Sequence, residues 1–150
     1  MNDEAIIARA AEIVAKRGIR EDGYCVLALI DTDGYPTAAT ISPSKSEGIE
    51  WFTFCTGLGS NWARRIEKCD RASLCFNSPH YNITLVGTIE VLTDLVTKKE
   101  MWYEGMGSYF SGWEDPGFCV LRFKTQRYSL MLSEKEGIVR GTLRQSISNS

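Results

Sequence analysis

Apolar residues along this chain change their period several times, and each change marks an element. Between residues 4 and 17, Ala5, Ile6, Ala10, Ile13 and Val14 recur at helical spacing, which predicts an amphipathic helix. Asp3 and Glu4 stand at its start, Lys16 and Arg17 at its end, and Gly18 follows as a stop. That arrangement suits the helix dipole at both ends. Tyr24 to Ile30 then reads as a strand apolar on both faces, and Asp33-Gly34 is a hairpin turn signal. The returning strand, Pro36 to Ser42, carries Thr37, Ala38, Ala39, Thr40 and Ser42, with Ile41 its only large side chain. Side chains this small either leave room for something to lie against the backbone or fit a tight barrel corner.

Ser44 to Gly48 reads as a polar loop and Trp51 to Cys55 as a third strand. A helix over 60–68 follows, with Ser60 as its N-cap. Ala72 to Asn77 is a fourth strand, ended by Ser78-Pro79, and Tyr81 to Thr93 a long fifth one. In the fifth strand Ile83, Leu85, Ile89 and Val91 share one face, and Asn82, Thr84, Thr88 and Glu90 the other. Gly87 interrupts the apolar face, which implies a bend or a close backbone approach. A helix is predicted over 95–106. An aromatic segment with Tyr109, Phe110 and Trp113 leads to the turn Asp115-Pro116-Gly117, and Phe118 to Met131 forms the last strand or strand pair. Tight turns between neighbours make the sheet antiparallel. The fold class is mainly β (α+β): a six-stranded antiparallel barrel with flanking helices that plug its ends or pack outside it. The domain is expected to span 1–135, followed by a polar, Ser-rich and poorly ordered tail over 136–150.

Bulk properties narrow the function. A chain of 150 residues, 43% apolar and 24% charged, is one ordinary globular domain. Its net charge of −2, without a basic block, argues against nucleic acid as a partner. No apolar run is long enough to span a bilayer, and the acidic start lacks a signal-peptide pattern, so no membrane association and a cytoplasmic location are expected. Five cysteines, Cys25, Cys55, Cys69, Cys75 and Cys119, form no C-x-x-C pair. They read as reduced packing residues. With His80 the only histidine, no metal site is expected. His80 follows Pro79 in a turn and supports no Ser-His-Asp or Cys-His arrangement.

The chemistry concentrates where the third strand meets its helix. Cys55 to Ile66 reads Cys-Thr-Gly-Leu-Gly-Ser-Asn-Trp-Ala-Arg-Arg-Ile. A helix N-terminus with unpaired amides and partial positive charge, flexible glycines, two hydroxyls and two arginines together suit a phosphate group. Thr56, Ser60 and Asn61 also satisfy ordinary turn and N-cap chemistry. Trp62, Ile66 and Cys69 fall on one helical stripe, so Trp62 reads as core, although its indole N–H can donate to an anion. The aromatic set Trp102, Tyr103, Tyr109, Phe110 and Trp113 reads as core or dimer interface before a cofactor lid.

The order Asp-Gly-Tyr-Pro (33–36), a small-residue strand, Gly-Ile-Glu-Trp-Phe-Thr-Phe (48–54) and Thr-x-x-x-Ser (56–60) opening a helix resembles the pyridoxamine 5'-phosphate oxidase-like family. Later pieces agree: Leu-Val-Gly-Thr-Ile-Glu-Val-Leu-Thr-Asp (85–94), Lys-Lys-Glu-Met-Trp (98–102) and Glu-Asp-Pro-Gly-Phe-Cys-Val-Leu-Arg-Phe (114–123). The set looks most like the general stress protein 26 branch. The resemblance covers roughly residues 5–132 and implies an FMN-binding split barrel, a homodimer with FMN in clefts between subunits. It implies that Thr40, Ile41 and Ser42 line the flavin, that Cys55, Thr56, Ser60 and Asn61 hold the phosphate with Trp62 beside them, and that Asn82 approaches the ring from the partner subunit.

Two positions depart from the family. Lys usually stands two residues after the serine, where this chain has Trp62, and an Arg often found in the second strand is missing from Thr37 to Thr40. The Arg-x-His that true pyridoxamine phosphate oxidases use on substrate near the C-terminus has no counterpart here. The resemblance therefore implies an FMN-dependent oxidoreductase acting on a small molecule or electron donor, with no catalytic residue assigned. The alternatives are a non-catalytic flavin or haem binding protein of stress responses, or a relative that has lost its cofactor.

Overall fold

The computed structural model describes residues 3–18 and 23–143. Helix α1 (Asp3–Arg17) forms where the helical period predicts it and buries Ile6, Ala10 and Val14. Strands β1 (Cys25–Ile30) and β2 (Pro36–Ile41) make the expected hairpin, with Gly34 at a positive φ of 88° in the turn. Then come β3 (Lys45–Glu47), β4 (Trp51–Gly57), helix α2 (Asn61–Lys68), β5 (Arg71–Asn77) and β6 (Asn82–Leu92). Helix α3 (Leu95–Met101), a 3-10 turn over Glu104–Ser108, β7 (Phe118–Met131) and β8 (Ile138–Thr142) complete the chain.

Every strand pairing is antiparallel, in the order β2-β1-β5-β6-β7-β4-β3, with β8 added to β7. Strand β7 is long enough to serve three partners. Strand β6 runs along one edge of it, while β4 covers its first half and β8 its second half on the other edge. The sheet curls round one apolar core, in which Phe52, Phe54, Phe76, Leu85 and Phe123 are fully buried or nearly so. Helix α1 closes one end of the barrel. Its Arg17 guanidinium donates to the carbonyls of Tyr24 and Asn77 and to the Tyr81 hydroxyl. Helix α2 closes the other end with Ala63 and Ile66.

The curvature depends on Gly87. A Cβ there would collide with the Lys124 carbonyl, and the β6–β7 register slips at this point so that Gln126 bulges out of the ladder. The close approach inferred from the interrupted apolar face is the one observed. The neighbouring Thr125 anchors the bulge, its amide donating to the Glu50 carbonyl at 2.9 Å.

The sheet has eight strands where six were expected. Strand β3 was hidden in the polar segment 44–48 because it is three residues long and mostly exposed; Ser44, just ahead of it, forms a buried hydroxyl pair with Thr53 2.8 Å apart. Strand β8 lies inside the stretch read as a polar tail. Val139 packs on the core, and Gly141 leaves space for the Tyr128 side chain opposite it. Residues 144–150 of that tail lie outside the described residues. Helix α3 stops at Met101 rather than 106, since Trp102 is already extended and Gly105 and Gly107 favour the tighter turn that follows. A second, smaller core on the outer side of β4 and β7 holds Met101, Met106, Phe118 and Val120 with Trp102, Phe110 and Trp113 against them. Most of the aromatic segment is thus core, whereas Tyr109 is 78% exposed.

Candidate functional site

The join between β4 and α2 forms as the sequence implies. Ser60 is extended, with φ −71° and ψ 157°, and its hydroxyl oxygen accepts from the Ala63 amide at 3.3 Å. The capping oxygen leaves the hydroxyl proton able to donate elsewhere. The Ser60 amide closes the turn on the Gly57 carbonyl at 3.0 Å. The amides of Asn61 and Trp62 lie in the first helical turn, where no intrahelical acceptor exists. The turn is braced from behind. Leu58 donates to the Gly117 carbonyl at 2.8 Å, and a Cβ added at Gly57 would meet the Phe110 ring at 3.5 Å. The Asp115 carboxylate accepts from the amides of Ser111 and Gly117, and these bonds hold its pKa below the usual carboxylate value.

Both arginines of α2 bear on this region. Arg64 folds back, its Nη2 donating to the Gly59 carbonyl at 3.1 Å. Arg65 reaches across to β2, where its Nη1 donates to the Thr37 hydroxyl oxygen at 3.2 Å. That hydroxyl donates in turn to the Leu29 carbonyl at 3.1 Å. Carboxylate ion pairs among the described residues join Arg9 to Glu136 and Lys124 to Glu90, and involve neither Arg64 nor Arg65. Among the described residues strand β2 is an edge of the sheet, paired with β1 alone, and Pro36, Ala38, Ala39 and Thr40 are exposed. A planar group can therefore approach its backbone from the free side.

The structure gathers some of the expected residues and separates others. Thr56, Ser60 and Asn61 stand together at the turn. Thr40 and Ile41 lie on the same edge strand but three and four residues beyond Thr37, roughly 10–13 Å along it. Ser42 follows directly, and Ile41 packs against the barrel core. The Cys55 side chain faces the other way, its Sγ donating to the Met101 carbonyl at 3.3 Å beneath α3, so a role for Cys55 at the turn is confined to its backbone. Trp62 packs against the barrel core, as its helical stripe predicted. Asn82 begins β6 at the end of the barrel away from α2. There its Nδ2 donates to Thr84 at 3.0 Å and its Oδ1 accepts from Cys75 at 3.4 Å. A single chain does not bring Asn82 to the turn.

The Thr37–Arg65 contact is what sequence reading missed. A trace of it was present: Arg65 falls three residues after Trp62, on the flank of the buried stripe, so it points along the sheet rather than into solvent. Two of the cysteines, Cys25 and Cys119, are buried. Burial pushes the Cys25 thiol up to about 12 and the Cys119 thiol, opposite Thr56, up to about 11. Among the described residues no group of His, Cys, Asp and Glu is placed to hold a metal ion. No helix among them is long and apolar enough to cross a membrane.

An antiparallel barrel left open between two edge strands, with helices across its ends and a hydroxyl-rich turn beside one free edge, defines a split-barrel protein. A family model described as pyridoxamine 5'-phosphate oxidase matches residues 12–132, and the chain belongs to that family. No curated protein matches it. Among solved structures, a Clostridium acetobutylicum protein related to general stress protein 26 of B. subtilis is 22% identical with a TM-score of 0.79, over 95% of this chain and 97% of that one. A heme binding protein from Mycobacterium smegmatis is 18% identical with a TM-score of 0.68, over 95% of this chain and 59% of that one. A pyridoxamine 5'-phosphate oxidase-related, FMN binding protein from Nostoc punctiforme is 13% identical with a TM-score of 0.60, over 95% of each chain. At these identities the likeness is one of fold.

Proposed function

We propose that the chain binds FMN as a homodimer, with the cofactor between two copies, and acts as an FMN-dependent oxidoreductase on a small molecule. The observation that carries this is the Ser60-capped start of α2, with Arg64 bent back onto the Gly59 carbonyl of the same turn and Arg65 reaching from the helix to Thr37 on the edge strand β2. The donor set fits a phosphate monoester: hydroxyls, helix-start amides and two cations without carboxylate partners among the described residues. The small side chains of β2 fit a flat ring laid along the strand. In this reading Thr56, Ser60 and Asn61 hold the phosphate, while Thr40, Ile41 and Ser42 line the ring. Asn82, held rigid by Thr84 and Cys75, meets the ring from the second copy.

Bound FMN supplies the electron chemistry. The residues of the chain bind it, orient it and exclude water. No acid or base is assigned among the expected contact residues. Titrating the purified protein with FMN while following flavin fluorescence tests the proposal. Saturable quenching in the micromolar range supports it, and none at high micromolar FMN defeats it.

The heme binding protein among the structural neighbours favours a second reading, a cofactor carrier without turnover. A Soret band in the purified protein supports haem, whereas flavin absorption with rapid reduction by NADH or NADPH supports the oxidoreductase.

A further inference from the structure

Resting on the FMN reading, we propose that Arg65 is the residue by which this chain distinguishes a phosphorylated flavin from an unphosphorylated one. Strand β2 carries no cation of its own, and Arg65 in the second turn of α2 reaches it from the helix. Three observations place it there. Arg65 donates to the Thr37 hydroxyl through a single Nη1 contact of 3.2 Å, which leaves the rest of its planar fork to other acceptors. Thr37 is itself fixed, since its hydroxyl donates to Leu29 across the β1–β2 ladder, so the guanidinium is anchored at one corner. Finally, Arg65 is half-buried and has no carboxylate in ion-pair range among the described residues. A partly desolvated cation held on a neutral hydroxyl gains most from an incoming anion. Arg64, exposed and bent back onto Gly59, adds charge at the turn but has no such anchor.

Thr37 is accordingly a positioning residue. Its hydroxyl accepts from Arg65 and sets where the fork points. A threonine at position 37 keeps β2 lean, with the charge delivered from the side of the helix.

The test compares FMN and riboflavin binding, by fluorescence titration, in the wild type, Arg65→Ala and the double variant Thr37→Arg/Arg65→Ala. Thermal melting alongside reports folding. Expected is a loss of FMN affinity of at least about tenfold in Arg65→Ala. Riboflavin affinity should stay unchanged, and the double variant should recover most of the loss, because it places a cation on the strand. Equal losses for both flavins would make Arg65 a structural residue and overturn the proposal, as would an FMN affinity that does not move. A wild type that binds neither flavin would defeat the cofactor reading itself, and the role of Arg65 with it.

Discussion

Gly87 is the residue the barrel can least replace. A methyl group there meets the backbone carbonyl of Lys124, and no side-chain rotation relieves that contact. Gly87→Ala is expected to cost on the order of 2–4 kcal/mol, measured as a drop in the denaturant midpoint, while an exposed glycine such as Gly59, with open space around it, tolerates Ala. Equal stability of the two variants would show that the bulge relaxes freely. The cysteines give a second check at this scale. Cys25 and Cys119 are buried and their thiols stay protonated well above neutrality. In the native protein at pH 8 a maleimide is expected to label the half-exposed Cys55, Cys69 and Cys75 before these two. Early labelling of Cys119 would contradict the packing behind the β4 end. Residue patterns told much of this in advance: the break at Gly87, the stripe of Trp62 and the N-cap of Ser60 follow from local chemistry. The Thr37–Arg65 contact did not, because it joins residues 28 apart through the curl of the sheet.

Two elements are held by carboxylates whose pKa the folded hydrogen bonds lower. Asp94 caps α3, accepting from the amide of Thr97 at 3.0 Å and from its hydroxyl at 2.7 Å, and these bonds lower its pKa. Asp115 does the same for the turn that braces the Gly57–Ser60 segment. A carboxylate whose pKa is depressed by folding stabilises the protein above its unfolded pKa, roughly 3.9, and loses that contribution as pH falls through the folded value. Asp115→Ala should therefore melt below the wild type at pH 7, and the gap should close as pH drops below about 4. A gap that persists at pH 2 would show that the loop is held by something else. Elements with strong periodicity were legible in the sequence, among them α1, β6 and α2. Strands β3 and β8 were not. The first is three residues long and half solvated, and the second leaves Ile138 exposed and packs only Val139 on the core. Their pairing is decided by which edges of β4 and β7 remain to be covered.

At the scale of the molecule, β2 is the anomaly. It is an edge strand of small, uncharged residues, with little of it buried in a single chain. Edges of this kind are ordinarily guarded by charge or covered, and a second copy with a flavin between is the cover proposed above. Ala38→Glu, on the exposed strand, is expected to halve the sedimenting mass and to weaken FMN binding in the same step, whereas a wild type that sediments as a monomer would undo the shared site. The chain-wide motif order pointed to the family, whereas the place of Asn82 at the barrel end away from α2 is set by the whole sheet and by no local pattern. Asn82 and the α2 turn lie at different ends of one chain, so the site proposed above takes them from two copies. The most direct measurement is a crystal of the protein soaked with FMN. Expected is the phosphate between the first turn of α2 and Thr37, within hydrogen-bond reach of Ser60 and Arg65, with the ring along β2 and Asn82 of the second copy against it. A groove left empty at saturating FMN, or blocked by the Trp62 indole, would contradict this.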